Sequence, residues 1–168
     1  MKRFKYLLMA LVMATCIVGS SGSASGSSYS TGKAVIPWFA SNVDQMSWYS
    51  VSNITDSPID VIITFYESEG SLLIDDNNST TGRITGTAEL LNYNDRNTDS
   101  TLTFKLNPHS TGKFYAYFTN EVEYGYGIIQ WKQGGNALQG LVVNGETYTN
   151  RTGEESRGHI PVNNGLPF

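Results

Sequence analysis

Residues 46–66 read MSWYSVSNITDSPIDVIITFY, two apolar-rich runs separated by a short turn-forming segment. The branched and aromatic side chains of both runs favour strands, because they pack well against their neighbours across a pleated sheet. Residues 56–58, Asp-Ser-Pro, supply turn chemistry between the runs. The pattern therefore predicts two strands joined as a hairpin.

The second run carries apolar side chains on both of its faces. Val61, Ile63 and Phe65 project to one side, because successive side chains of a strand alternate. Ile62 and Tyr66 project to the other side. Apolar residues on both faces indicate an interior strand of a sandwich, covered on both sides.

Similar short runs continue along the chain, separated by turn residues. Pro37 interrupts the first run and lacks a ladder donor, which predicts an edge position or a bulge. Asn144 and Gly145 form the strongest short hairpin signal, with residues 147–149 returning from it. The sequence predicts an all-β fold, an antiparallel two-sheet β-sandwich of about eight strands, with an irregular excursion at 75–100.

The first residues have the layout of a secretory signal peptide. Lys2, Arg3 and Lys5 precede an apolar run, and a stretch of small residues follows it. An uncleaved membrane anchor and lipidation of Cys16 stay open as alternatives. The predicted segments are the signal peptide at 1–24, a flexible linker at 25–32, the β-sandwich domain at 33–149 and a C-terminal tail at 150–168.

The charge balance limits the partners of the chain. Its formal net charge is −4, and loss of Lys2, Arg3 and Lys5 with the signal peptide changes it to −7. Phosphate binding needs a basic patch, so we expect no nucleic acid partner. We expect no membrane span after signal cleavage, and a location that is secreted or at the cell envelope.

Part of the chain resembles a known family. Residues 53–56, Asn-Ile-Thr-Asp, precede the alternating strand 61–66, and Leu-Asn-Pro at 106–108 leads into an aromatic strand. This order, over roughly residues 45–131, resembles the sensory-rhodopsin-transducer-like β-sandwich and small secreted bacterial proteins of the same layout. The resemblance implies an eight-stranded sandwich that can form homo-oligomers through its sheets. It implies no catalytic residue, and the family's cytoplasmic association with a membrane photoreceptor does not fit a chain predicted to be exported.

The sequence offers no paired groups for catalysis. His109 in a turn and His159 in the tail have no neighbours suited to a triad or a metal site. The acidic pairs at 67/69 and 121/123 are interpreted as solvated turn acids, although facing carboxylates across a cleft would suit a glycan-active hydrolase. We therefore predict a protein that is not an enzyme and that takes no cofactor and no metal.

The excursion contains one weak candidate for a cation site. Asp95, Asn97 and Asp99 place oxygen ligands at alternate positions, as the first half of a calcium loop does. Ser100 replaces the required glycine and Leu106 stands where an acid is needed, so an EF-hand is excluded and a solvated loop is favoured over a partial site. Asn-x-Ser/Thr sequons begin at Asn53, Asn77, Asn78 and Asn150.

Aromatic side chains are the richest feature, with 10 Tyr, 7 Phe and 3 Trp. Trp38 and Trp48 lie in predicted strands and are interpreted first as packing residues. Exposed aromatic side chains bind sugars or proteins through a flat apolar area with a polar tip. The predicted ligand- or partner-binding residues are Tyr115, Tyr117, Tyr124, Tyr126 and Trp131.

These features predict an exported, non-catalytic β-sandwich module for binding or assembly at the cell envelope or outside the cell. The expected partner is a protein or glycan at the cell surface, with a homo-oligomer as a further possibility. The alternatives are a glycan-active hydrolase and a structural surface or matrix subunit.

Overall fold

The computed structural model describes residues 28–73, 84–86, 91–94, 101–116 and 122–168, with only the backbone of the two short segments. The described residues form ten strands: β1 (Tyr29–Ser41), β2 (Gln45–Asn53), β3 (Ile59–Glu67), β4 (Ile84–Gly86), β5 (Leu91–Asn94), β6 (Thr101–Leu106), β7 (Thr111–Ala116), β8 (Glu123–Gly134), β9 (Leu141–Arg151) and β10 (Glu154–Pro161).

The strands form two five-stranded antiparallel sheets. Sheet A has the order β1-β8-β3-β6-β5, and sheet B has the order β10-β9-β2-β7-β4. The predicted two-sheet β-sandwich is therefore confirmed. Strands β4 and β5 lie within the predicted excursion at 75–100, and each adds a short edge strand to one sheet. The calcium-loop candidate falls outside the described residues.

The core lies between the sheets and follows the predicted alternation of β3. Val61, Ile63 and Phe65 are buried, as predicted, whereas Ile62 between them is 44% exposed. The prediction that this strand is covered on both sides is wrong, because a two-layer sandwich leaves the outer face of each sheet in solvent. Strand β3 is nevertheless interior within its sheet, since β8 and β6 flank it.

Aromatic rings fill the centre of the core. The Tyr49 ring stacks on Phe114 with centroids 4.9 Å apart, and Phe65 meets Phe39 edge to face at 5.0 Å. The Tyr49 hydroxyl donates a 2.6 Å hydrogen bond to the carbonyl oxygen of Trp38. Burial raises the pKa of that hydroxyl. It therefore stays protonated and keeps this bond.

The predicted hairpin at 46–66 is wrong, because its two strands belong to different sheets. Strand β2 pairs with β7 and β9 in sheet B, whereas β3 pairs with β6 and β8 in sheet A. The connection between β2 and β3 therefore crosses from one layer to the other. Asn53 fixes the start of this crossing: its side-chain amide donates to the carbonyl oxygens of Ser57 and Asn107.

The hairpin predicted at Asn144 and Gly145 is also wrong, since β9 runs straight through both residues. A Cβ atom added to Gly145 would lie 2.5 Å from the Tyr49 ring. The glycine therefore makes room for a core side chain and does not form a turn. The hairpin lies at Thr152 and Gly153, whose φ angles of 53° and 86° match a type I′ turn.

The sandwich extends beyond the predicted domain limits at both ends. Strand β1 begins at Tyr29, inside the predicted linker, and pairs with β8 as the edge of sheet A. Its register shifts between Ile36 and Phe39, which confirms the predicted bulge at Pro37. The predicted tail supplies β10 and a short 3-10 segment, Val162–Gly165, in which Val162 is buried.

The predicted signal peptide and Cys16 fall outside the described residues. Within the described ranges, no helix combines the length and the hydropathy needed to span a bilayer.

Candidate ligand-binding surfaces

The outer face of sheet B is centred on Trp48. This residue lies directly opposite Tyr115 on β7 and Glu146 on β9. The Trp48 and Tyr115 rings are parallel to within 9°, with centroids 6.5 Å apart. That spacing belongs to displaced parallel rings. The two rings therefore extend one aromatic surface across neighbouring strands.

A cleft of about 290 Å³ opens beside this pair. Strand β2 supplies part of its floor, and the β9–β10 hairpin supplies a wall through cross-strand neighbours Tyr148 and Arg157. We call this the sheet B cleft, lined by Met46, Trp48, Tyr115, Tyr148, Glu155 and Arg157.

The cleft carries charges of both signs. Interaction of the Tyr148 hydroxyl with the nearby Glu155 carboxylate raises the pKa of Tyr148. The Arg157 guanidinium lies 5.8 Å from the Tyr148 ring centroid and 3.8 Å from the Glu146 carboxylate. The Lys113 ammonium lies 4.3 Å from the Trp48 ring centroid. Two acids and two bases thus surround the aromatic surface.

Two buried polar atoms of this face lack a hydrogen-bond partner among the described residues. They are the indole Nε1 of Trp48 and Oε2 of Glu146, of which the second lies 3.8 Å from Arg157 Nη1 in an ion pair. Because these residues face each other across β2 and β9, both atoms belong to one place on the sheet. A buried polar group without a hydrogen bond costs about 1–3 kcal/mol.

The outer face of sheet A carries a second aromatic surface. Trp38 stacks with Tyr124 at 5.8 Å between centroids, and Tyr66 stacks with Tyr126 at 5.0 Å. Apolar side chains on the same face extend it. We call this the sheet A aromatic face, made of Val35, Trp38, Ile62, Tyr66, Tyr124, Tyr126 and Ile128.

The structure separates the residues predicted to form one contact surface. Tyr115 lies on sheet B, whereas Tyr124 and Tyr126 lie on sheet A, facing the opposite direction. Tyr117 falls outside the described residues. These tyrosines therefore do not form one patch, and the two faces must be considered separately.

Trp131 belongs to the core and not to a surface, with 2% of its area exposed. Added Cβ atoms on Gly32 and Gly140 would lie within 2.7 Å of its ring, so the indole occupies the space those glycines leave open. Its Nε1 donates a 2.7 Å hydrogen bond to an oxygen of Phe168. The prediction that Trp131 belongs to the contact surface is therefore wrong.

Sequence reasoning missed Trp48 and Tyr148 as surface residues. The signal was present in β2, where Trp48 alternates with Ser47 and Tyr49. Both of those residues are buried. Ser47 can be buried because its hydroxyl exchanges hydrogen bonds with the backbone of Ala40. Because serine is usually exposed, a buried serine at position 47 makes it unclear from sequence which β2 side chains face the core.

Among the described residues, Glu67, Glu69 and Glu123 line one pocket of about 220 Å³, and no histidine lines it. Glu123, predicted to be solvated, is 7% exposed, and His109 contacts Asp56 at 2.9 Å on the surface. In the part of the chain that is described, no group of three or more His, Cys, Asp and Glu side chains could hold a metal ion. Of the sequons, Asn53 is 2% exposed and Asn150 is exposed.

No family model and no curated protein matches the chain. Among solved structures it is similar to the Thermotoga maritima 1070 protein, with 9% identity, a TM-score of 0.46, and coverage of 77% of this chain and 90% of that one. A Bacillus endospore appendage protein, which forms disulfide-linked pili, matches with 14% identity and a TM-score of 0.22 over 65% of this chain and 90% of that one. At these TM-scores neither likeness defines a fold family for the chain.

Proposed function

We propose that this chain is an exported, non-catalytic β-sandwich module that works by assembly at the cell envelope or outside the cell. The contact surface is the sheet A aromatic face, and its partner is a second copy of the chain. The observation that supports this proposal most is the large apolar area that this face leaves in solvent.

The exposed area is large for a single domain. Five side chains of the face, Val35, Trp38, Ile62, Tyr124 and Tyr126, are each 39% to 52% exposed. With about 150–250 Å² for a whole aromatic side chain, they leave roughly 400–500 Å² of apolar surface. Patches of this size on monomers are often functional, and about 800 Å² per partner makes a standard interface. The face and its polar rim can supply that area.

The charges at the two ends of the face favour a second copy as the occupant. The turn that carries Glu67 and Glu69 lies at one end, near Gly125 of β8. Lys33 and Lys132 lie at the other end, beside Gln130 and Asp60 respectively. A two-fold axis that opposes the faces with strands antiparallel places the acidic end of each copy over the basic end of the other.

Sedimentation velocity over roughly 1–300 µM tests this proposal. We expect concentration-dependent dimerisation that weakens at least about tenfold when Tyr124 and Tyr126 are both changed to serine. Leu138→Ser is the matched control, because Leu138 is 96% exposed in the loop between β8 and β9 and is not one of the residues of the face. A wild-type chain that stays monomeric throughout, or a double variant that dimerises equally well, contradicts the proposal.

Fractionation of a producing cell tests the export part of the proposal, and the mature protein is expected in the extracytoplasmic fraction without residues 1–24. Release of sugar from a panel of glycosides would instead favour the glycan-active hydrolase.

A further inference from the structure

We propose that the sheet B cleft is a binding site for a neutral saccharide chain. This site is on the opposite side of the sandwich from the sheet A aromatic face, so it is independent of the assembly proposed above. Three properties of the cleft carry the inference: its aromatic surface, the unpaired indole N–H of Trp48 and its balanced charge.

The aromatic surface suits the flat side of a sugar ring. The parallel Trp48 and Tyr115 rings make a flat apolar area at the centre of the sheet, and Tyr148 adds a third ring at the wall. A pyranose ring has C–H groups on its faces and hydroxyl groups around its edge. Aromatic rings can cover those faces while polar groups beside them bind the edge.

The polar groups supply both donors and acceptors, as hydroxyl groups require. Arg157 only donates, whereas the Glu155 carboxylate only accepts. The Trp48 indole N–H is buried without a hydrogen bond among the described residues. A sugar hydroxyl that accepted a hydrogen bond from this N–H would remove its desolvation cost.

The charge balance favours a neutral ligand. The lining holds one acid, Glu155, and one base, Arg157, so the cleft has no excess of either sign. Outside the lining, Glu146 and Lys113 add one charge of each sign. An anionic polymer binds where basic side chains predominate. The same balance is well suited to neutral hydroxyl groups, which interact with both carboxylates and cations.

The position of the cleft on the sheet favours a saccharide over a peptide. An extended peptide commonly binds by adding a strand to a free sheet edge. Strand β2 at the floor of the cleft is paired on both sides, with β7 and with β9. Its backbone groups are therefore already used, and only side chains can recognise the ligand.

The size of the cleft and the position of Lys113 limit the affinity. A volume of about 290 Å³ is at the lower end for small-molecule sites and admits about one or two sugar rings. A ring that stacks on Trp48 also competes with the Lys113 ammonium. We therefore expect dissociation constants of about 10 µM to 1 mM for short chains.

Isothermal titration calorimetry and intrinsic tryptophan fluorescence test the site with cellohexaose, xylohexaose, laminarihexaose, mannohexaose and chitohexaose as probes. We expect at least one probe to bind and to change the tryptophan emission. Trp48→Ala and Tyr148→Ala should each weaken binding at least about tenfold. Tyr29→Ala is the matched control, since Tyr29 is an exposed aromatic residue of β1 in the other sheet.

Arg157→Ala keeps the proposal testable if Trp48→Ala fails to fold, because Arg157 is exposed on the edge strand β10. It should also weaken binding, with an unchanged melting temperature. The inference is overturned if none of the five probes binds at millimolar concentration. It is also overturned if binding survives all three cleft substitutions, or if only anionic polysaccharides or peptides compete for the site.

Discussion

Replacement of Asn53 by alanine tests how the two sheets are connected. The Asn53 side chain makes two short donor bonds, 2.8 Å to the carbonyl oxygen of Ser57 and 2.9 Å to that of Asn107. Its amide oxygen accepts from the backbone N–H and the hydroxyl of Thr55, at 2.9 and 2.8 Å. The residue therefore joins the end of β2, the crossing to sheet A and the turn between β6 and β7.

The expected loss of stability follows from these bonds. Each is worth about 0.5–1.5 kcal/mol net, and the Thr55 N–H loses its acceptor. The two carbonyl oxygens have other donors within reach. Thr55 Oγ1 lies 2.9 Å from the Ser57 oxygen and can donate to it once the Asn53 amide is gone, and Ser110 Oγ donates to Asn107. We therefore expect Asn53→Ala to lower the free energy of unfolding by about 2–4 kcal/mol and the melting temperature by roughly 5–15 °C.

Urea denaturation followed by circular dichroism measures this change. Asn136→Ala is the control, because Asn136 is exposed in the loop after β8, and it should stay within about 0.5 kcal/mol of the wild type. A stability loss below about 0.5 kcal/mol for Asn53→Ala would refute the reasoning, since the buried amide would then contribute nothing to the crossing. Asn53→Asp should destabilise more than alanine, because a buried carboxylate would face the two carbonyl oxygens.

Three further substitutions test other parts of the fold. Trp131→Phe removes the hydrogen bond to Phe168 and leaves a void, so the free energy of unfolding should fall by about 1–3 kcal/mol. Urea denaturation measures this, and an unchanged midpoint would contradict the core position of Trp131. Gly145→Ala should cost about 1–3 kcal/mol by overpacking, whereas Gly134→Ala, with open space around it, should cost less than about 1 kcal/mol. Glu155→Gln should lower the pKa of Tyr148 in an ultraviolet titration, because the carboxylate opposes its ionisation; an unchanged or higher pKa would show that the contact is absent.

The layer architecture and its inner face could be predicted because they depend on local alternation. Val61, Ile63 and Phe65 are buried as their spacing requires, and the bulge at Pro37 follows from its missing N–H. Such features need only the chemistry of neighbouring residues. The outer face of β3 was misjudged, because Ile62 looks the same in sequence whether it is covered or in solvent.

The pairing of strands could not be predicted in the same way. A five-residue connection such as 54–58 can close a hairpin or cross between layers, and its composition suits both. The choice depends on Asn53, whose amide reaches Asn107 in a turn 54 positions away. No pattern local to the stretch 46–66 contains that information.

The role of a glycine is also hard to predict from sequence when it depends on a side chain of another strand. Gly145 was interpreted as a turn residue, and Trp131 as a surface residue. The structure places both in the core, since Gly145 admits the Tyr49 ring, and Gly32 and Gly140 admit the Trp131 ring. A glycine opposite an aromatic residue on another strand has no local signal. The position of the half-buried Trp48 on the outer face of sheet B likewise depends on how the strands pair.

The two proposed surfaces together predict how the protein acts on a polysaccharide. Dimerisation through the sheet A aromatic face turns both sheet B clefts outward, on opposite sides of the dimer. Two clefts in that arrangement cannot bind neighbouring rings of one short chain, so avidity for an isolated oligosaccharide should not increase. They can connect two long chains. A solution of a polysaccharide that contains the recognised unit should therefore become turbid when the wild-type protein is added. The Tyr124→Ser/Tyr126→Ser double variant should bind the polysaccharide without causing turbidity. Equal turbidity with both proteins would show that cross-linking does not depend on the sheet A aromatic face.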